Sequence, residues 1–124
     1  MNTEKSGKLI TIRAAIGSDY ADLEVECGWT SSGNVFYVDT KRYRARNNGR
    51  SKGNIKVKLI SKGDTDWMVL NNDDGVQDGK WHVLAKQLTV QGNASSAIIH
   101  FNWIYDVQGY TDPNMTGQAT VPFP

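Results

Sequence analysis

The sequence lacks the features typical of disulfide-stabilised and membrane-spanning proteins. Among its 124 residues Cys27 is the only cysteine, so no disulfide can form within the chain and packing must stabilise the fold. No apolar run approaches the roughly twenty residues of a membrane-spanning helix, and the opening residues MNTEKSGKLI contain no apolar segment of signal-peptide length. We therefore expect one domain over residues 1–124, with residues 1–7 disordered. We expect it to be cytoplasmic as synthesised and, if released, to leave without a signal peptide.

Motifs of the common enzyme classes are also missing. The chain contains no Gly-rich phosphate loop, no Gly-x-Ser-x-Gly elbow, no His-Glu-x-x-His sequence and no paired-cysteine metal site. The two histidines, His82 and His100, fall in strand-like segments, where a packing or surface role is more common than general-base catalysis. Cys27 alternates with Leu23 and Val25, which predicts a buried, unreactive thiol. We expect a protein that is not an enzyme.

Charge is balanced overall but unevenly distributed. The formal net charge is +1, yet nine of the fourteen basic residues lie between Lys41 and Lys62, a segment without any acid. An extended strand would place its alternate arginines on one face, where they could attract phosphate, sulfate, nucleic acid or anionic lipid. A solvated edge strand is the competing interpretation, because its like charges oppose edge-to-edge pairing. The predicted anion patch consists of Arg42, Arg44, Arg46, Arg50 and Lys52.

Alternation of apolar and polar residues is the dominant pattern of the chain. In Ala97–Tyr105, aromatic and aliphatic residues recur at every second position, which predicts a long central strand. Turns rich in Gly, Asn and Asp separate such segments, and no window has the apolar spacing of an amphipathic helix. We expect an all-β antiparallel sandwich of jelly-roll type with eight or nine strands. The other expected strands are Leu9–Ala15, Asp22–Trp29, Val35–Tyr43, Ile55–Ser61, Trp67–Leu70, Trp81–Leu84, Gln87–Val90 and Thr116–Phe123.

A polar loop lies near the end of the chain, within IYDVQGYTDPNMTGQATV. It brings carboxylate, amide, hydroxyl and backbone oxygens close together, and Ca²⁺ takes six to eight oxygen ligands. No Lys or Arg lies between Gln87 and Pro124 to offset the two carboxylates of this loop. A calcium site is therefore one interpretation, and a turn capped by Asp and Asn side chains is the other. The predicted metal ligands are Asp106, Thr111, Asp112 and Asn114. The stretch NNDDGVQDG lacks calcium-loop spacing and predicts one or two turns.

Four motifs follow one another in the order LEVECGWTSSG, GNIKVKL, DGKWHVL and IIHFNWIYDVQGYTDPNMTGQATV. This order resembles the small calcium-dependent galactose-binding lectins of the Pseudomonas type, a bacterial family. Residues 106–109 match the start of that family's ligand loop, and Asn114 matches its later amide. Tyr110 stands where the family has a ligand threonine unless Thr111 replaces it, Pro113 replaces an asparagine, and Ser32 replaces a tyrosine. The resemblance, which the GKW strand extends to jelly-roll carbohydrate-binding modules, implies a jelly roll that binds sugar.

A sugar-binding role also agrees with the four tryptophans, since an indole packs on the apolar C–H face of a sugar ring. Trp29, at the end of its strand, is the predicted aromatic platform, whereas a core position competes with a binding role for Trp67, Trp81 and Trp103. The expected partners are a glycan and further copies of this chain in a homo-oligomer. A membrane-active or anion-binding protein and a structural assembly protein are the alternatives. The predicted ligand-binding residues are Trp29, Ser32, Asp106, Tyr110 and Asn114.

Overall fold

The computed structural model describes residues 6–124, which form nine strands in two antiparallel sheets. Sheet A has the order β1-β2-β3, and both β6 and β7 pair with the far side of β3; sheet B has the order β5-β4-β8-β9. This confirms the predicted all-β, two-sheet fold. In the described part of the chain no helix is long and apolar enough to cross a bilayer. The strands are β1 Ser6–Ile16, β2 Asp19–Trp29, β3 Val35–Ala45, β4 Arg50–Ile60, β5 Met68–Gln77, β6 His82–Val83, β7 Gln87–Gln91, β8 Ser96–Ile104 and β9 Asn114–Pro122.

The expected disorder at the amino terminus concerns residues that the structure describes only in part. The expected disorder of residues 1–7 falls outside the described residues for positions 1–5, and Ser6 and Gly7 begin β1 opposite Trp29 and Gly28.

The core lies between the two sheets and follows from the alternation in the sequence. Apolar side chains at every second position of β2, β4 and β8 are fully buried in one continuous cluster. Trp103, Phe101 and Leu23 are among the largest members, and burying each such side chain contributes about 1.5–3 kcal/mol. Cys27 belongs to this cluster, as predicted, and burial raises the pKa of its thiol to about 11.

Close backbone approach requires glycine where the sheets meet. A Cβ at Gly53 would lie 2.6 Å from the Trp103 ring, and one at Gly75 would lie 2.9 Å from it, so this pair forms the slot that holds the indole. At the other edge, a Cβ at Gly117 would lie 2.0 Å from the Arg13 carbonyl oxygen. Strands β9 and β1 can therefore pack closely only because position 117 has no side chain.

The stretch NNDDGVQDG is not a separate turn, contrary to the sequence-based interpretation. Most of it belongs to β5, where the pairing with β4 shifts register between Gly53 and Ile55. Asp73 has a φ of 58° at this irregularity, and its amide donates to Asn54 Oδ1 at 2.9 Å. The stretch therefore forms a bulge within a long strand. Residues that favour turns also favour bulges.

Trp29 is not placed where the sequence predicted an aromatic platform. Trp29 is only 1% exposed and packs against Phe36 and Phe123, so its indole cannot serve as an open platform. Trp103 is buried in the core, but Trp67 is 40% exposed beside sheet B. Because Trp29 lies on the inward face of β2, its position at a strand end does not expose it.

Candidate functional site

The polar loop after β8 is anchored by a buried glutamine. Gln77, at the end of β5, is fully buried, and its Oε1 accepts from Trp103 Nε1 at 3.1 Å and from the Asp106 amide at 2.7 Å. Its Nε2 donates to the Asp106 carbonyl at 2.9 Å and to Asn48 Oδ1 at 3.0 Å. Every hydrogen-bonding group of this side chain is therefore used to hold the loop against the core.

The Asp106 carboxylate is paired with a cation from another strand. Arg50 Nε, in β4, lies 3.0 Å from Asp106 Oδ1, although its N–H is not aligned as a hydrogen bond. Although residues 87–124 contain no Lys or Arg, an arginine from β4 supplies the positive charge that pairs with Asp106. The carboxylate is nearly buried, so an Arg partner at this distance offsets part of its desolvation cost.

The rest of the loop is a turn stabilised by its own polar groups. The Val107 amide donates to Asp112 Oδ1 at 3.0 Å, and the Tyr105 amide donates to the Pro113 carbonyl at 2.8 Å. Thr111 is exposed, and Tyr110 is 84% exposed. The geometry is that of the capped turn that the sequence offered as the alternative to a cation site.

Three of the four predicted calcium ligands already have partners within the protein. Asp106 is paired with Arg50, Asp112 caps a backbone amide, and Asn114 Oδ1 accepts from Asn102. A cation would have to displace each of these donors, and within residues 6–124 no three His, Cys, Asp or Glu side chains are grouped so that they could hold a metal ion. Calcium binding at this loop would require these contacts to rearrange, and it stays a prediction.

The predicted anion patch is divided between the two sheets. Arg42 and Arg44 lie in β3 of sheet A, Arg46 follows β3, and Arg50 and Lys52 lie in β4 of sheet B. The Asn47-Asn48-Gly49 turn separates the two groups along the chain, so the basic stretch is shared by strands of both sheets.

Acids of β2 neutralise the sheet A part of this patch. In the hairpin register Arg44 lies opposite Asp22 and Arg42 lies opposite Glu24. Arg42 donates to both Glu24 oxygens, at 3.0 and 3.2 Å. After the strand, Arg46 donates to Asp19 Oδ1 at 3.0 Å and to Ser18 Oγ at 2.9 Å. Much of the positive potential expected from the sequence is therefore cancelled.

Asp22 is the most strongly engaged of these acids. Arg13 donates to both of its oxygens, at 2.8 and 2.9 Å, and Arg44 donates to Oδ2 at 3.0 Å. Burial by itself would raise the pKa of Asp22, but the two guanidinium groups outweigh that effect and the pKa is lowered. The two arginines of β3 also stack on the indole of Trp81: Arg42 Cζ lies 4.3 Å and Arg44 Cζ lies 4.5 Å from the ring centroid. On this face of sheet A, Arg42 and Arg44 are therefore occupied by ion pairs with acids and by cation–π contacts with Trp81.

The outer face of sheet B is different, because it carries a polar depression beside an exposed indole. Lys56, Asn102 and Thr116 are aligned across three neighbouring strands, since Asn102 pairs with Lys56 on one side and with Thr116 on the other. With Trp67 and Asn114 they line a depression of about 290 Å³. We call these five residues the sheet B pocket.

The amide orientations within the sheet B pocket are fixed by the backbone. Asn102 Nδ2 donates to the Met115 carbonyl at 2.9 Å, and a carbonyl can only accept, so its NH₂ group must point there. The same nitrogen donates to Asn114 Oδ1. Asn114 therefore directs its oxygen to Asn102 and retains its own NH₂ group for a ligand.

Trp67 is held at the pocket by a hydrogen-bonded turn between β4 and β5. The Thr65 amide donates to the Leu59 carbonyl, and the Leu59 amide donates to Thr65 Oγ1, each at 3.0 Å. The Trp67 amide donates to Asp66 Oδ1 at 2.8 Å. Near the indole, the His100 ring centroid is 6.2 Å away and Lys58 Nζ is 6.0 Å from the ring centroid. An anchored aromatic loses little conformational entropy on binding a ligand.

Of the five predicted ligand-binding residues, the structure places only Asn114 in this pocket. Ser32 is exposed in the β2–β3 turn, where its Oγ accepts weakly from the Asn34 amide at 3.4 Å. Sequence reasoning missed Lys56, Trp67, Asn102 and Thr116. The alternation of apolar and polar residues in β4, β8 and β9 predicts that Lys56, Asn102 and Thr116 lie on the outer face of a sheet. Their alignment with one another depends on long-range strand pairing, which the alternation does not predict.

Comparison with known proteins adds no family assignment: no protein-family model matches this chain, and no curated protein matches its sequence.

Proposed function

We propose that this protein is a non-enzymatic, lectin-like carbohydrate-binding protein whose ligand lies on the outer face of sheet B. The observation that supports this most directly is the sheet B pocket, in which Trp67 stands beside amide, hydroxyl and ammonium groups. An indole packs on the C–H face of a sugar ring while such groups bond its oxygens. At about 290 Å³, the depression is near the lower end of ligand-site volumes, roughly 300 Å³, which suits one sugar ring of a longer chain.

This proposal differs from the sequence-based prediction in its residues. Trp67 replaces Trp29 as the aromatic platform, and Asn114 is retained as a polar contact. Calcium is not part of the proposal, because Arg50 already pairs with Asp106. A jelly-roll topology and a homo-oligomer remain predictions. For the topology, the structure gives the strand order of each sheet, and the consecutive strands β1, β2 and β3 lie side by side in sheet A.

The two alternative functions have less specific support. An anionic surface or membrane role relied on the whole predicted anion patch, and the four arginines of that patch are each paired with an acid. A structural assembly role remains a prediction that light scattering for large particles would test.

The experiment is glycan-array binding at micromolar protein, followed by calorimetric titration with the best glycan, because the heat signal does not depend on the indole of Trp67. Trp67→Ala should abolish binding without lowering the melting temperature by more than a few degrees, since the indole is substantially exposed. Trp81→Ala is the matched control, because that indole lies on sheet A, and it should leave glycan affinity unchanged. If no neutral or acidic glycan binds, the proposed function is wrong; if Trp67→Ala binds glycan as well as the parent, the proposed site is wrong.

A further inference from the structure

The sheet B pocket is rich in hydrogen-bond donors and has no acid in its lining. Lys56 supplies an ammonium group, Asn114 supplies its NH₂ group, and the Thr116 hydroxyl can donate or accept. None of the five lining residues is Asp or Glu. The acceptors in the lining are limited to the Asn102 amide oxygen, the Asn114 oxygen that already accepts from Asn102, and the Thr116 hydroxyl, so the ligand must supply most of the acceptors.

Lys56 is the cation with unused capacity at this site. In the part of the chain that the structure describes, Lys56 makes no ion pair, whereas its strand neighbour Lys58 lies 3.9 Å from Asp64. Lys56 is half-buried between Asn102 on β8 and Val69 on β5. An ammonium group on a half-buried side chain without a counter-charge favours an incoming anion more than a lysine that is already paired with an acid does.

We infer that the preferred ligand is an acidic saccharide, whose carboxylate or sulfate ester pairs with Lys56 while its ring packs on Trp67. This inference rests on the proposed sugar-binding function and specifies its ligand class. Neutral sugars present mainly hydroxyl groups that need acceptors as well as donors, and a pocket without a carboxylate serves them less well. An anionic sugar uses the ammonium group, the Asn114 NH₂ group and the Thr116 hydroxyl together as donors.

The expected effect of Lys56 on affinity is large enough to measure. A charge-assisted hydrogen bond in a partly buried site changes affinity roughly ten- to hundredfold. Lys56→Met keeps most of the apolar stem and removes the charge, so affinity for an acidic polysaccharide should fall by about that factor. Lys52→Met is the control, because Lys52 lies on the same strand, is exposed and is not part of the pocket.

The experiment is titration of the full chain and its variants with polygalacturonate, dextran sulfate and neutral dextran of similar length, at low and moderate salt. The two acidic probes separate carboxylate from sulfate recognition. We expect one acidic probe to bind at least tenfold more tightly than dextran, and we expect Lys56→Met and Trp67→Ala to lose this binding while Lys52→Met retains it. The binding that the parent retains at moderate salt should be absent from Trp67→Ala.

Three other results would overturn the inference. If dextran binds as tightly as the acidic probes through Trp67, and Lys56→Met is unaffected, the acidic specificity is wrong but sugar binding stands. If acidic probes bind but Lys52→Met weakens them as much as Lys56→Met and Trp67→Ala has no effect, the contact is diffuse charge attraction and both proposals fail. If no glycan binds on the array and none of these probes binds, the sugar-binding function fails and this inference fails with it.

Discussion

Replacement of Gln77 by leucine should be among the most destabilising single changes in this fold. Leucine is close to glutamine in size, but it offers no acceptor to Trp103 Nε1, 3.1 Å away, or to the Asp106 amide, 2.7 Å away. The other two partners retain bonds: the Asp106 carbonyl still accepts from Asn48 Nδ2 at 2.8 Å, and Asn48 Oδ1 still accepts from the Arg50 amide at 3.1 Å. Two buried donors are thus left unsatisfied.

The cost follows from these two donors. Each buried donor left without an acceptor costs about 1–3 kcal/mol, so together they should lower the free energy of unfolding by about 2–6 kcal/mol. That is a large fraction of the roughly 5–15 kcal/mol typical of a domain. Urea unfolding followed by tryptophan fluorescence measures it, and the midpoint should fall with little change in slope.

Two further variants make this prediction refutable. Gln108→Leu changes the same side chain in the exposed loop and should stay within about 0.5 kcal/mol of the parent. Gln77→Glu keeps both acceptors but faces the Asp106 carbonyl, so its folded-state pKa should be raised. It should therefore be nearly as stable as the parent below about pH 4, where the unfolded side chain is also protonated, and lose stability as pH rises. A Gln77→Leu protein within 1 kcal/mol of the parent would show that this network does not stabilise the fold.

Other substitutions and conditions test separate parts of the structure. Asp22→Asn should cost about 1–3 kcal/mol, because two guanidinium groups lose their carboxylate. Since the pKa of Asp22 is lowered on folding, its stabilisation is complete above about pH 4 and is lost as pH falls through the folded-state value. The parent should therefore lose more stability than the variant in acid unfolding titrations, and equal losses would contradict the assignment. Gly117→Ala should lower the melting temperature by several degrees, because its Cβ would meet the Arg13 carbonyl; an unchanged temperature would contradict close β1–β9 packing. Millimolar calcium and chelator should give the same melting curve, since Arg50 pairs with Asp106, and a calcium-dependent rise would restore the cation site.

Alternation in the sequence predicted most of the strands and the buried face of each. The long central strand expected at Ala97–Tyr105 is β8, Ser96–Ile104, and the expected Val35–Tyr43 is β3, Val35–Ala45. Period-2 patterning identifies such elements because one-sided burial requires it. The extension of β5 to Gln77 was missed, since Asn, Asp and Gly favour both turns and bulges.

The charge pattern contained more information than the basic stretch alone suggested. Asp22 and Glu24 alternate on the polar face of β2, and a hairpin through the Ser32-Gly33-Asn34 turn brings that face beside Arg42 and Arg44. Cross-strand pairing of opposite charges stabilises such a hairpin. The neutralisation was therefore accessible from the sequence, because the two strands are adjacent along the chain.

The Arg50–Asp106 pair and the sheet B pocket were not accessible in the same way. Arg50 is far along the chain from Asp106, as Lys56 is from Asn102, and only the pairing of β4 with β8 brings these segments together. Asn114 illustrates the difference. As the first residue of β9, preceding buried Met115, it faces outward beside Asn102 instead of turning toward Asp106. The chemistry of its amide predicts a polar contact, but strand register decides which residues it contacts. From the sequence alone Asn114 belongs to a polar turn, whereas in the fold it lies on the outer face of sheet B.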